Sequence, residues 1–189
     1  MNIGLYFGSF NPVHIGHLII ANHVVNNSEL HQVWLVVSPH NPLKPSASLL
    51  NEYHRLHLIQ SSLEGENNLK ASNIEFHLPK PSYTVDTLAY LKDKYPQHSF
   101  SIVMGSDSLS NLSKWKNYDI IVKNYPLYIY ERQGFPINNI LNASLHLLKA
   151  PLLEISSTQI RNLIKIGKSI RYMVPDVVKN EIEQNGYYK

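Results

Sequence analysis

The sequence contains no cysteine. Disulfide bonds, a thiolate nucleophile and a cysteine metal site are therefore excluded. It also lacks any apolar run approaching the roughly 20 residues that cross a bilayer, so no membrane partner is expected. The N-terminal residues show no basic segment followed by an apolar stretch and a small-residue cleavage site, so no secretory signal is expected. These absences predict a cytoplasmic protein.

The chain also has little excess charge of either sign. Its 17 Lys and Arg residues against 14 Asp and Glu residues give a net charge of +3. The basic residues are scattered, without a block of like charge, so no nucleic-acid partner is predicted. A small anionic ligand suits this balance equally well. Nothing in the pattern indicates an oligomeric state.

What is present is an alternation of apolar strands and helical segments. With 189 residues, 43% of them hydrophobic, the chain can bury the core of one domain spanning 1–189. Strands are predicted over 1–9, 31–38, 69–76, 99–107, 126–132 and, as an extended stretch, 145–156. Helices are predicted over 17–30, 51–63, 84–96, 118–125, 156–167 and 174–188. This alternation predicts a doubly wound α/β fold with one parallel sheet covered on both faces.

One stretch after the first strand is unusual: residues 7–17 read FGSFNPVHIGH. Ligands of such sheets bind outside the carboxyl ends of the strands, and this stretch lies there. Gly8 lets the backbone approach a ligand closely, and Pro12 stiffens the turn. His14 and His17 fall in the first turn of the next helix, on one side of it. Unpaired amides and the helix dipole at that point favour an anion, so the stretch predicts a phosphate site.

Two other interpretations of the histidines are open at this stage. A histidine pair three residues apart is more often part of a core or a surface than of a site. A zinc site needs a third ligand and usually a glutamate base, and HIGH has neither beside it. No protein metal site is therefore predicted.

The whole string is more specific than its parts. FGSFNPVHIGH resembles the HxGH signature of the nucleotidylyltransferase superfamily, and ISSTQIR (155–161) resembles the ISSTxIR motif of its adenylyltransferases. SYTVDTL (82–88), VMGSDSLSNLSKWKNY (103–118) and YIYERQGF (128–135) are similar to segments of nicotinate mononucleotide adenylyltransferases. The resemblance implies a Rossmann-like nucleotidylyltransferase fold. It also implies the reaction of ATP with nicotinate mononucleotide to give nicotinate adenine dinucleotide and pyrophosphate, a late step of NAD biosynthesis.

The resemblance also implies roles for individual residues. His14, His17 and Arg161 would be catalytic, and Mg²⁺ would arrive with ATP rather than in a dedicated protein site. The acceptor nucleotide would contact Thr84, Trp115 and Arg132. The ATP-binding set would be Gly8, Ser9, Phe10, His14, His17, Lys44, Gly105, Asp107, Ser156, Ser157, Thr158 and Arg161.

The sequence departs from the family pattern at a few positions. Phe7 stands where the family often has glycine, and Asn11 where it often has aspartate, whose turn chemistry asparagine shares. The loop SPHNPLK (38–44), which carries Lys44, is one residue shorter than usual and lacks a histidine there. Three alternatives stay open: a nicotinamide mononucleotide adenylyltransferase, a phosphopantetheine adenylyltransferase, and a regulator that binds nucleotides without catalysis. Pyrophosphate release with each acceptor distinguishes them.

Overall fold

The fold is built on one six-stranded sheet in which every strand is parallel to its neighbours. The computed structural model describes residues 1–40, 48–137, 143–151 and 153–189. The strand order across the sheet is β3-β2-β1-β4-β5-β6. The strands are β1 (Asn2–Gly8), β2 (Gln32–Val37), β3 (Leu69–Ser72), β4 (Ser99–Gly105), β5 (Leu127–Tyr130) and β6 (Leu145–Leu148).

Helices cover both faces of this sheet. They are α1 (Ile15–Asn26), α2 (Glu52–Ser62), α3 (Thr84–Lys94), α4 (Ser106–Leu109), α5 (Tyr118–Asn124), α6 (Ser157–Lys165) and α7 (Asp176–Asn185). Short 3₁₀ helices span Ile74–His77 and Leu112–Lys114. Within the described segments, no helix has the combined length and apolar character needed to cross a membrane.

The strands form because their side chains are buried on both faces. In β2, Val33 and Leu35 pack into one core cluster with α1, α2, α6 and α7, whereas Trp34 and Val36 pack into the other with α3 and α5. Such period-2 burial on both sides is typical of the near-continuous apolar strands of parallel sheets. The predicted doubly wound α/β fold is confirmed.

The prediction of a strand over 69–76 is wrong in its second half. The ladder ends at Ser72, whose hydroxyl accepts from the Ile74 amide at 3.4 Å, and a 3₁₀ turn follows. Serine and asparagine at 72 and 73 compete for backbone hydrogen bonds and so favour a turn. The turn places Glu75 in the interior.

The strand order fixes where a ligand can bind. The chain proceeds from β1 outward to β3 and then returns to the other side of β1 with β4. Connections on the two sides of β1 therefore diverge, which opens a crevice at the carboxyl ends of β1 and β4.

Candidate active site

A cleft of about 1100 Å³ lies at the carboxyl ends of the central strands. The predicted site residues within the described part of the chain all line it: Gly8, Ser9, Phe10, His14, His17, Thr84, Gly105, Asp107, Trp115, Arg132, Ser156, Ser157, Thr158 and Arg161. Lys44 lies outside the described residues. The sequence therefore predicted which residues converge, while the contacts of each with substrate stay predictions.

The two histidines cap helix α1 as a pair. His14 is the N-cap residue, and its Nδ1 accepts from the His17 amide at 3.3 Å. In return, Nδ1 of His17 accepts from the His14 amide at 3.3 Å. The rings stack with centroids 3.6 Å apart. This arrangement is a capping box made of imidazoles, and it confirms that both rings lie on one side of the helix.

The capping contacts determine which ring nitrogen can face a ligand. Because Nδ1 of each ring accepts from a backbone amide, we assign the proton of the neutral ring to Nε2. Burial, with a further contribution from the charge of Arg132, lowers the pKa of the His14 imidazole from 6.5 to about 4. His14 is therefore neutral at pH 7 and offers an Nε2–H donor without a full positive charge.

The prediction of free amides at the start of α1 is wrong for two of them. The Ile15 amide donates to the Met173 carbonyl at 2.9 Å, and the His17 amide donates to the His14 carbonyl at 2.9 Å. Helix geometry alone leaves the Ile15 amide unpaired, and the Met173 carbonyl, in the loop before α7, accepts its hydrogen bond. Side-chain donors, rather than these two amides, remain for an anion at this helix.

Gly16 allows the His14 ring to pack closely over the first turn of α1. A Cβ atom at Gly16 would lie 3.0 Å from Nδ1 of His14 and 3.1 Å from its neighbouring carbon. Beside a larger residue, the His14 ring would have to shift by a few tenths of an ångström in a tightly packed site. The small residue between the histidines of HIGH is therefore part of the cap.

Phe10 supports the ring of His17. It has a φ of +45°, a left-handed conformation that bulky residues rarely adopt. Its ring is buried edge-on against Tyr6, at 5.7 Å between centroids, and against His17, at 4.9 Å. A Cβ at Gly8 would meet this ring at 2.9 Å, so Gly8 makes room for it. Phe10 thus helps to orient an imidazole at the cleft.

The two sequence motifs, about 140 residues apart, are in direct contact. At the start of α6, the Ser157 hydroxyl donates to the Pro12 carbonyl at 2.9 Å. Arg161 donates to the Asn11 carbonyl at 2.8 Å and to the Thr158 hydroxyl at 3.2 Å. Ser156 is the N-cap, accepting from the Gln159 amide at 3.2 Å. The first turn of α6 and the turn after β1 thus form one rigid wall of the cleft.

The far end of the cleft is formed by the start of α3 and by Trp115. Thr84 is the first residue of α3. Helix geometry gives the Thr84 and Val85 amides no intrahelical acceptor, whereas the Asp86 amide already donates to the Tyr83 carbonyl at 3.0 Å. Trp115 is half-buried after the second 3₁₀ turn. Next to it, the Lys116 ammonium lies 4.7 Å from the Tyr83 ring centroid and 2.9 Å from the Asp86 carboxylate. These contacts hold Trp115 beside the start of α3.

Arg132 lies between the two ends of the cleft. Its amide donates to the Ser106 hydroxyl at 2.9 Å, which fixes the chain after β5 against the start of α4. Its Nε is 4.0 Å from Oδ1 of Asp107, in a half-exposed pair. Its charge also acts on His14, as the lowered pKa of that imidazole shows. Arg132 is therefore a cation of the cleft wall that lies close to Asp107.

Sequence reasoning missed Arg55, which holds the cleft walls together. Its fully buried guanidinium donates to the backbone carbonyls of Ser38 at 2.9 Å, Pro39 at 3.1 Å and Ser9, and its Nε donates to that of Leu50 at 2.8 Å. The burial of Arg55, though not its contacts, could have been predicted from helical spacing, because Arg55 lies three residues before the buried Leu58 and so on the same face of the helix.

Two further interior groups were also missed. The hydroxyls of Tyr6 and Tyr130 pair at 2.9 Å beneath the cleft, and burial raises the pKa of both phenols. The sequence predicts a strand over 69–76 that includes Glu75, and glutamate is among the residues least often fully buried. No sequence signal indicated its burial.

Comparisons with known proteins agree with this geometry. Residues 5–163 match the cytidylyltransferase-like family. A probable nicotinate-nucleotide adenylyltransferase of Flavobacterium psychrophilum is 52% identical, with all of both chains covered. One of Cytophaga hutchinsonii is 50% identical, covering 100% of this chain and 98% of the other.

Similarity also extends to solved structures. A Plasmodium falciparum nicotinic acid mononucleotide adenylyltransferase complexed with NaAD superposes with a TM-score of 0.85 at 23% identity. The match covers 99% of this chain and 97% of that one, and it shows the shared fold. The relatives that match over their full length show a narrower family than the cytidylyltransferase-like match does. The chain therefore belongs to the cytidylyltransferase-like family and, within it, to the nicotinate-nucleotide adenylyltransferases.

Proposed function

We propose that this chain transfers AMP from ATP to nicotinate mononucleotide, giving nicotinate adenine dinucleotide and pyrophosphate. The observation that carries the proposal is the contact between the two motifs. Arg161 and Ser157 of α6 bind the backbone of the turn that ends in His14. One end of the cleft thus gathers imidazole, guanidinium and hydroxyl donors from both motifs, as a polyphosphate requires.

Adenylyl transfer requires correct positioning of the two substrates rather than a strong general base. A phosphate oxygen of the acceptor attacks the α-phosphorus of ATP, a new P–O bond forms, and the bond to the departing pyrophosphate breaks. The nucleophile is already an anion, so charge stabilisation and alignment suffice. Donors from Nε2 of His14 and His17 would meet the transferring phosphate. Arg161 would meet the pyrophosphate as negative charge builds on it.

The two substrates would occupy opposite ends of the cleft. ATP would lie along Gly8, Ser9 and Phe10, with its phosphates at the two helix starts and its ribose beside Gly105 and Asp107. The acceptor would lie by Thr84 and Trp115, with Arg132 near the phosphates of both. We include in the proposal that residues 1–189 work as one nucleotidylyltransferase domain in the cytoplasm.

Magnesium fits this scheme as a companion of ATP. Across the described residues, no group of three or more His, Asp or Glu side chains could hold a metal ion. Mg²⁺ usually keeps several waters and is held by substrate phosphates with one or two carboxylates. Asp107 is a carboxylate on the cleft wall that could join such a shell. When bound, the ion would neutralise charge on the triphosphate.

The acid acceptor suits the donors at α3 better than the amide does. Nicotinate offers carboxylate oxygens to first-turn amides and to the Thr84 hydroxyl. The amino group of nicotinamide would face those donors unpaired, which costs about 1–3 kcal/mol for each buried group. A pocket built on hydrogen bonds can discriminate between such ligands by orders of magnitude.

The test is pyrophosphate release from ATP and Mg²⁺ with nicotinate mononucleotide, nicotinamide mononucleotide or phosphopantetheine. We expect nicotinate mononucleotide to have the highest kcat/KM. Equal values for acid and amide would overturn the pocket at α3 and leave adenylyl transfer standing. Release with phosphopantetheine alone would place the chain with another acceptor, and release with none would support a binding regulator.

Trp115→Ala separates the two ends of the cleft. Loss of the indole removes a stacking surface for the pyridine ring, so KM for the acceptor should rise about tenfold or more. KM for ATP should stay within twofold, because the phosphates bind at the other end. Trp34→Phe, at a tryptophan away from the cleft, is the control. A rise in the KM for ATP alone would contradict the assignment.

A further inference from the structure

A buried carboxyl group at the acceptor end has no role in the scheme above. Glu75 is only 2% exposed, in the 3₁₀ turn after β3, yet its side chain reaches the cleft wall. Its Oε2 accepts from the Ser82 hydroxyl at 2.6 Å, and its Oε1 accepts from the Thr87 hydroxyl at 3.0 Å. The Ser38 hydroxyl is a third hydrogen-bond partner.

Burial of this carboxyl is costly, so its retention calls for a reason. Removing a carboxylate from water costs several kcal/mol unless partners replace the water. Burial raises the pKa of Glu75, while the three hydroxyl partners oppose that shift. In the described part of the chain, no lysine or arginine forms an ion pair with it. Among the described residues, three hydroxyl groups therefore hold the Glu75 carboxyl group.

The partners of Glu75 lie on both sides of the start of α3. Ser82 precedes the helix, and Thr87 lies in its first turn, so Tyr83 and Thr84 are between them. The Thr87 hydroxyl is also 3.2 Å from the Tyr83 carbonyl, which links the same turn a second time. A single side chain thus fixes both ends of the segment that presents the first-turn amides.

We propose that Glu75 is a positioning residue of the acceptor site, which sets the first turn of α3 so that its amides and the Thr84 hydroxyl meet the acid group of the acceptor. The inference rests on the proposed function, because that assigns the start of α3 to the acceptor. Glu75 acts through Ser82 and Thr87 and need not touch the substrate. Its loss should therefore affect the acceptor and spare ATP.

The experiment compares the steady-state kinetics of Glu75→Ala, Glu75→Gln and Thr87→Val with nicotinate mononucleotide and ATP. We expect Glu75→Ala to raise the KM for the acceptor at least tenfold and to leave the KM for ATP within twofold. Glu75→Gln keeps an oxygen acceptor and should restore the KM to within about threefold of the unaltered chain. Thr87→Val, which removes one hydroxyl of similar shape, should give an intermediate value.

Glu183→Ala, at an exposed carboxylate of α7, is the matched control and should change neither KM. Parallel rises in both KM values for Glu75→Ala would overturn the proposal, since they indicate a general loosening. So would an unchanged acceptor KM, or a glutamine variant as impaired as the alanine one. If Glu75→Ala fails to fold, the KM values of Glu75→Gln and Thr87→Val for the acceptor and for ATP test the proposal without it. An unaltered chain inactive with nicotinate mononucleotide would instead reject the proposed function itself.

Discussion

His14 and His17 each use Nδ1 for the fold, and the proposed scheme assigns Nε2 of each ring to the chemistry. Because Nδ1 caps helix α1 and Nε2 would donate to the transferring phosphate, an alanine substitution would remove both contributions at once. A smaller substitution can separate them. Asparagine places an acceptor near the position of Nδ1 and has nothing that reaches the position of Nε2.

We therefore predict that His17→Asn lowers kcat about 10²-fold, with a melting temperature close to that of the unaltered chain, because the cap survives and a donor to the transferring phosphate does not. His17→Ala should lower both quantities. Steady-state kinetics and thermal melts of the two variants measure the difference. An unaltered kcat in folded His17→Asn would refute the donor role.

His14 should make stability depend on pH. Its pKa is lowered from 6.5 to about 4, so below pH 6.5 the unfolded chain binds a proton that the folded chain refuses. Above pH 6.5 the His14 imidazole does not lower the free energy of unfolding. As the pH falls to 4, it lowers the free energy of unfolding by about 3 kcal/mol. Urea unfolding at pH 7 and pH 4.5 should show a smaller decline in His14→Asn than in the unaltered chain. Equal declines would contradict the buried neutral imidazole.

At the scale of elements, α6 packs against the turn after β1, and its side chains donate hydrogen bonds to the backbone of that turn. Arg161→Ala removes the donors to Asn11 and Thr158, and with them the cation that the proposed scheme places beside the phosphates. The KM for ATP should rise about tenfold or more, while the KM for the acceptor stays within twofold. Lys165→Ala, in the last turn of α6, controls for loss of charge from the helix. An effect confined to the acceptor would show that α6 binds the other substrate.

Elements with strong local signals were predictable. β1 and β2 are continuous apolar runs, and the capped start of α6 follows from its serines. Ser72 and Asn73 favour a turn at the end of β3, but the burial of Glu75 in that turn was not predictable, because it depends on the hydroxyl groups of Ser82 and Thr87, which follow later in the chain. Arg55 is a similar case: its acceptors are backbone carbonyls in the two connections that follow β1 and β2, and no side-chain pattern reveals those contacts. Contacts that form only after the fold exists leave little trace in local sequence.

At the scale of the whole molecule, the end of the cleft that the proposal assigns to ATP joins the turn after β1 to α6, through a hydrogen bond between residues 150 positions apart in the sequence. A ligand there should stabilise the fold as a unit. ATP with Mg²⁺ at 100 times its Kd adds about 2.7 kcal/mol, which corresponds to a rise in Tm of roughly 5–10 °C. Thermal melts of the unaltered chain and Arg161→Ala at one fixed ATP concentration measure this, and the variant should shift less. Equal shifts would place the nucleotide elsewhere.

The central position of β1 has a consequence for synthesis on the ribosome. β1 pairs with β2 on one side and with β4 on the other, and 61 residues separate the end of β2 from the start of β4. At about 5–20 residues per second, β4 is made roughly 3–12 s after β2. During that interval β1 has one apolar, unpaired edge. Stalled nascent chains that end before β4 should therefore be protease-sensitive and bound by chaperones, and chains extended past β4 should not.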